Sequence, residues 1–282
     1  MDRPTAPLFD RHAWRAHRDR AAREPDNADF LHREVAARLV DRLDLVSRDF
    51  AAALDLGARD GVLGHALAAA RGVRVVSAEP SRRLLARAPA PRVCADPELI
   101  PFRDASFDLV ASNLALHWCT DLPGTLAQIR RALKPDGLLL AALFAGSTLV
   151  ELRTALFEAE LAEEGGVSPR VSPTVDLGDA AGLLQRAGFA MPVSDSETVT
   201  VTYPDILALM RDLRGMGETN TLAARRGFLG RATLARAQAI YAERFANTEG
   251  RLIATFEVLF LTGWAPHPDH AEPRPGPRRR IV

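Results

Sequence analysis

Over about 90 residues in the middle of the chain, short apolar runs alternate with segments of helical period; this alternation restricts the fold more than any other feature. "AAALDL" reads as a buried strand, "GVLGHALAAA" as a helix, "VRVVSAE" as a strand, "SRRLLARA" as a helix capped by Ser81, and "FDLVASN" as a strand. A helix opening near Asp121 and ending at "KPDG" follows, and then the apolar run of residues 138–144. Strands that return in the same direction through helices make a parallel sheet covered on both faces. Its ligand crevice lies at the carboxyl ends of the strands.

The flanks extend this α/β pattern. From Asp29, a favourable N-cap residue, Phe30, Val35, Leu39 and Leu43 recur at roughly helical spacing and predict an amphipathic helix. Downstream come a helix over 147–163, a Gly/Pro-punctuated loop, a helix ending at Gly188, and two strands, "SETVTVTY" and "ATFEVLFLTGW". The stretch 204–250 between those strands is too long for a turn and reads as a helical cap over the crevice. The expected organisation is a helical lid over 1–28, one domain over 29–264 with a cofactor half (29–146) and a cap half (147–264), and a Pro/Arg-rich tail over 265–282.

Thirty-six Lys+Arg offset 36 Asp+Glu, so no net field gathers nucleic acid or anionic lipid. Lys134 is the sole lysine, and the Ala/Arg-rich usage suggests a GC-rich bacterial origin. No apolar run reaches the ~20 residues needed to cross a bilayer. The acids Asp2, Asp10 and Asp19 argue against a transit peptide, so the N-terminal segment reads as part of the working protein. Cys94 and Cys119, without a CxxC, read as core fillers in a reducing cytoplasm. "HPDH" lies in the tail without a third ligand, so no metal is expected.

The glycine turn "ALDLGARDG" decides the chemistry. G-x-G-x-x-G would need glycine where Arg59 and Val62 stand, and a Walker loop would need G-K where Val62 and Leu63 stand. Both phosphate-binding readings fail. What remains is D-x-G-x-x-x-G: Asp55 at the strand end, Gly57 at the turn and Gly61 opening the helix. Glu79 ends the second strand, where an acid can accept both hydroxyls of a ribose, and Asp96 follows the third strand, placed to meet an adenine amino group. These acids describe an adenosine pocket without a phosphate clamp.

The order "LDLG…G", "AEPS", "ADPELIPF", "FDLVASNLALHW", "LKPDG" resembles the class I S-adenosylmethionine-dependent methyltransferases. The resemblance implies a Rossmann-like fold with a seven-stranded, mostly parallel sheet and S-adenosyl-L-methionine as cofactor. It places Gly57 and Gly61 at the cofactor turn, Asp55 near the methionine amino end, Glu79 on the ribose and Asp96 on the adenine. Asn113 is a further cofactor-binding candidate, and Asn113 to Leu116 form the wall that faces the substrate. Arg59 departs from the pattern at a position usually held by glycine, and either points to solvent or pairs with a carboxylate, the cofactor's own or that of Asp60 or Glu79.

A narrower likeness spans nearly the whole chain. "LFDRHAWRAHRDRAA", "DFLHREVAARLVDRL", "TLVELRTALFEAELAEEGGVSP", "YPDILALMRDLRGMGETN" and "GWAPH" are similar to the complex I assembly factors of methyltransferase fold. That likeness implies modification of an arginine on a complex I subunit, by hydroxylation rather than methyl transfer. The expected location is the bacterial cytoplasm, with contact to the membrane through the partner. The malonyl-acyl-carrier-protein methyltransferases are a more distant likeness and imply O-methylation of a carboxylate. A third reading is a binding module without catalysis.

His117 at the crevice mouth is a candidate general base, with packing under the cap as the equal alternative. Tyr203, at the entry to the cap, is the second catalytic candidate. Trp118, Arg211, Arg214, Glu218 and Asn220 are candidate substrate contacts, against the alternative that "RGMGETN" merely terminates a helix. Trp14 and the N-terminal arginines read either as a lid over the site or as a solvated helix.

Overall fold

The computed structural model of the chain describes residues 7–23, 26–224, 227–267 and 269. Seven strands form one sheet in the order β3-β2-β1-β4-β5-β7-β6. They are β1 (Ala52–Leu56), β2 (Arg74–Ala78), β3 (Arg92–Val93), β4 (Phe107–Asn113), β5 (Leu133–Phe144), β6 (Ala190–Tyr203) and β7 (Leu252–Trp264). The first five are mutually parallel, and β7 enters antiparallel between β5 and β6, with Leu138 opposite Trp264.

Period-two alternation sorts the apolar residues into two cores. Along β5, Leu138, Leu140, Ala142 and Phe144 join one cluster, while Leu139, Ala141, Leu143 and then Ala145 join the other. The first core lies under α2 (Phe30–Leu43), α3 (Val62–Arg71), α6 (Val150–Glu164), α8 (Ile206–Met216) and α9 (Arg231–Phe245). The second lies under α5 (Leu122–Ala132) and α7 (Leu177–Arg186). Helix α5 stops at Ala132, ahead of the expected "KPDG", because Leu133 already pairs with Phe107 and Pro135 disfavours helical backbone at Lys134.

Helix α1 (Arg11–Ala21) lies in the first 28 residues, capped by Asp10, whose side chain accepts the Ala13 amide at 2.9 Å. The short α4 (Arg82–Leu85) follows β2, and its N-cap is Ser81. Helices α8 and α9 form the insertion between β6 and β7. Cys119 is buried and its thiol is pushed up to about 12, chiefly by burial. Cys94 is exposed, which corrects the expectation of a core filler: it lies just beyond the two-residue strand β3 at the edge of the sheet. Among the described residues no helix is long and apolar enough to span a membrane. Most of the 265–282 tail, His270 included, lies outside the described residues.

Candidate functional site

Between β1 and β4 the chain direction of winding reverses, and the loops after these two strands face each other across the resulting crevice. Gly57 (φ 74°) and Gly61 (φ 86°) both occupy the left-handed region. A Cβ on Gly57 would lie 2.3 Å from that of Ala115, and one on Gly61 would lie 2.5 Å from the Ala88 Cα. These glycines are therefore required by the protein's own packing, before any ligand is considered. Arg59 also sits at positive φ (52°); its buried guanidinium turns back to Asp60, with Nη1 donating to Oδ2 at 3.1 Å.

Glu79 is fully buried and accepts four hydrogen bonds. Two come from the backbone, from the Arg59 amide at 3.0 Å and the Ser81 amide at 2.9 Å. The other two come from Arg18 on α1, through Nε at 2.8 Å and Nη2 at 2.7 Å. Burial works against the charge of Arg18, yet Glu79 more than offsets it and the guanidinium is held above its ordinary value. Asp96 is gripped in the same way by Arg11, through Nε at 2.9 Å and through Nη2, while Arg11 Nη1 donates to the Trp118 carbonyl at 2.7 Å. Trp14 is buried between the two guanidinia, 4.1 Å and 5.1 Å from its ring centre. Both acids assigned to the nucleoside are thus engaged by one helix. The pattern was present in the sequence, since Arg11, Trp14 and Arg18 at i, i+3 and i+7 share a helix face, but their acidic partners were not visible there.

A second group of polar atoms lies deeper, at the ends of β1 and β4. Asp55 accepts the Gly64 amide at 3.0 Å through Oδ2, and its carboxyl is pushed up to about 7 by burial, against the Gly64 N–H and with help from Glu79 and Asp60. Asn113 donates to the His32 carbonyl at 2.8 Å. His32, which sequence reasoning missed, is buried in α2 and held well below its ordinary value by burial and by the Arg59, Arg18 and His117 charges. Among the described residues, Asp55 Oδ1, Asn113 Oδ1, Asp60 Oδ1, Arg59 Nε, Arg18 Nη1 and both His32 ring nitrogens are buried without a hydrogen-bond partner. Orphaned polar atoms cost about 1–3 kcal/mol each, so a concentration of them marks a place built for a polar ligand.

Beside this group opens a cavity of about 1120 Å³, lined by His117, Trp118, Arg211, Arg214, Glu218 and Asn220 among others. Gly217 (φ 84°) terminates α8 and turns Glu218 inward, where one oxygen, Oε2, meets both His117 Nε2 and Trp118 Nε1 at 3.0 Å. Asn220 is a turn residue: it donates to the Pro169 carbonyl and accepts the Leu222 amide. Tyr203 stands apart, buried in the core with its phenol raised by burial and by Asp212. The lid and cap, read separately from sequence, are stitched together. Asp10 N–H donates to the Thr221 carbonyl at 2.8 Å, Phe9 bridges to Leu222, and Phe9, Trp14, Trp118 and Leu222 form a small third core.

The sheet order and the glycine turn beside two strand-end acids define a class I methyltransferase fold, and a methyltransferase-domain model matches residues 54–141. The YcgJ protein from Bacillus subtilis shares the fold at TM-score 0.58 and 14% identity, over 83% of this chain and 99% of its own. Human arginine-hydroxylase NDUFAF5, mitochondrial, is 40% identical over 95% of this chain and 80% of its own length. The zebrafish (Danio rerio) protein of the same name is 48% identical over 66% of this chain, a match spanning 58% of the zebrafish protein. A malonyl-[acyl-carrier protein] O-methyltransferase from Methylovorus is 38% identical over 92% of this chain and 90% of its own. The chain belongs to the methyltransferase family that contains both kinds of enzyme.

Proposed function

We propose that the chain is an S-adenosyl-L-methionine-binding enzyme that modifies an arginine on a protein subunit during assembly of respiratory complex I. The observation that carries the cofactor is the set of unpaired, buried polar atoms at the ends of β1 and β4. An amino-acid zwitterion matches them: Asp55 Oδ1 and Asn113 Oδ1 suit an ammonium group, and Arg59 Nε suits a carboxylate. In the same cluster the guanidinia of Arg18 and Arg59 face the carboxylates of Glu79, Asp60 and Glu218, with Asp55 near neutrality, and such an excess of acid favours a ligand of net positive charge. Sulfonium and ammonium against one carboxylate give the cofactor that charge. When bound, it supplies an electrophilic methyl group on sulfur.

The protein's own contribution is alignment and exclusion of water. Glu218 orients His117 through Nε2, and a neutral ring then leaves Nδ1, buried and unpartnered, as an acceptor for a substrate proton. Glu79 and Asp96 suit the ribose and adenine only once α1 gives them up, so cofactor entry and lid opening are one event.

Likeness to arginine hydroxylases over 95% of the chain, well beyond the cofactor segment, supports arginine as the substrate. A carboxylate substrate on an acyl carrier is the second reading, favoured by Arg211 and Arg214 along the cavity. The enzyme would work in the cytoplasm, at the membrane through its partner. Calorimetric titration with S-adenosylmethionine and S-adenosylhomocysteine tests the cofactor. Micromolar binding that weakens in Asn113→Leu is expected, whereas no heat at millimolar ligand would leave a binding module. Deleting the gene and mapping arginine modifications on complex I subunits by mass spectrometry tests the substrate; a biotin requirement with normal complex I would favour the second reading.

A further inference from the structure

The carboxylate of Glu218 makes its hydrogen bonds on one side only, and its charge also acts on the Arg18 guanidinium. Its side chain is 4% exposed, and both neighbouring donors, His117 Nε2 and Trp118 Nε1, converge on Oε2. Among the described residues Oε1 is buried with no hydrogen-bond partner, although Glu218 lines the large cavity. A carboxylate oxygen is purely an acceptor and carries charge, so leaving it unmatched is unfavourable unless a donor arrives from the cavity. The surroundings select the kind of donor. His117 and Trp118, which line the cavity beside Glu218, place two aromatic rings 5.2 Å apart in its wall. Aromatic faces beside a carboxylate favour a cation. The rest of the lining includes Leu149, Leu152 and Met210, which suit an aliphatic stem; of its four arginines, Arg170 is paired with Glu160, Arg20 donates to the Thr219 hydroxyl, and Arg211 and Arg214 are exposed.

We infer that Glu218 is the specificity-determining residue of the substrate cavity, and that its Oε1 receives the guanidinium of an arginine side chain whose methylenes lie along the apolar wall. This rests on the reading of the chain as an arginine-modifying enzyme and adds the residue that recognises the group. Trp118 is the reporter, because its indole N–H shares the same carboxylate. The exposed arginines repel a second cation and meet acidic neighbours of the target residue.

The probe is N-acetyl-L-arginine methylamide, with the corresponding citrulline amide as its neutral isostere and malonate as an anion. Binding is followed by the indole proton–nitrogen resonance of Trp118 in the full-length protein, identified with Trp118→Phe; the chain has only three tryptophans. The arginine amide is expected to move this resonance saturably, with the citrulline amide at least tenfold weaker. In Glu218→Gln, which keeps an acceptor but removes the charge, arginine affinity falls at least tenfold. Glu218→Asp retains part of it. Equal responses to arginine and citrulline, a stronger response to malonate, or unchanged affinity in Glu218→Gln overturns the inference. The arginine–citrulline comparison uses the unaltered protein and stands even if the variants fold poorly. S-adenosylhomocysteine binding measured on the same sample reports the enzyme reading separately: if that binding persists while arginine has no effect, only the role of Glu218 falls.

Discussion

Asp55 is the clearest case of one residue setting a property of the fold. Its carboxyl titrates near 7 in the folded chain against 3.8 as a free side chain, because burial opposes its charge more than the Gly64 N–H supports it. A raised acid means that the folded state holds the proton longer than the unfolded state. Its effect is therefore to lower stability as pH climbs from about 4 to about 7, by roughly 4 kcal/mol at the limit, and to level off above. His32 acts with the opposite sign, withdrawing stability as pH falls below 6.5 because the folded chain keeps the ring neutral. The difference between the unaltered protein and Asp55→Asn in urea melts from pH 5 to 8 isolates the first effect. The asparagine variant should gain relative stability as pH rises; a constant difference would mean that Asp55 is already ionised throughout. Gly57→Ala should cost about 3 kcal/mol or more in the same assay, since it combines a left-handed backbone with a 2.3 Å approach to Ala115.

Helix α1 is held in the crevice by two bidentate guanidinium–carboxylate pairs and a buried indole. Removing one partner of a buried pair typically costs about 3–5 kcal/mol, because the other charge is left behind. Here Glu79 retains two backbone N–H donors, so Arg18→Ala should cost nearer 3 kcal/mol. The same change should raise affinity for S-adenosylhomocysteine at least tenfold, since the ribose acid no longer has to be freed. A stability loss without an affinity gain would show that α1 and the nucleoside do not compete. In hydrogen exchange, α1 amides should open faster when the ligand is added, together with the 217–222 loop to which α1 is bonded.

At the scale of the molecule, β5 and β7 tie the two halves of the chain into one sheet, and β5 feeds alternate side chains to both cores. Both cores draw residues from 29–146 and from 147–264. Urea unfolding of the full chain should follow one transition by fluorescence and by circular dichroism, and a fragment ending at residue 146 should not fold cooperatively. A folded fragment would mean that the first five strands are self-sufficient. The sequence alone determined the alternation of elements, the glycine turn, the strand-end acids and the helical character of the insertion, because each depends on spacing within a few turns of chain or on one residue's backbone freedom. Only the tertiary structure decided that Arg11 and Arg18 hold Asp96 and Glu79, that Tyr203 is packed away from the cavity, and that Glu218 shares one oxygen between His117 and Trp118. These pairings join residues 61 to 101 positions apart, and the chain's local periodicity carries no record of which buried charge will meet which.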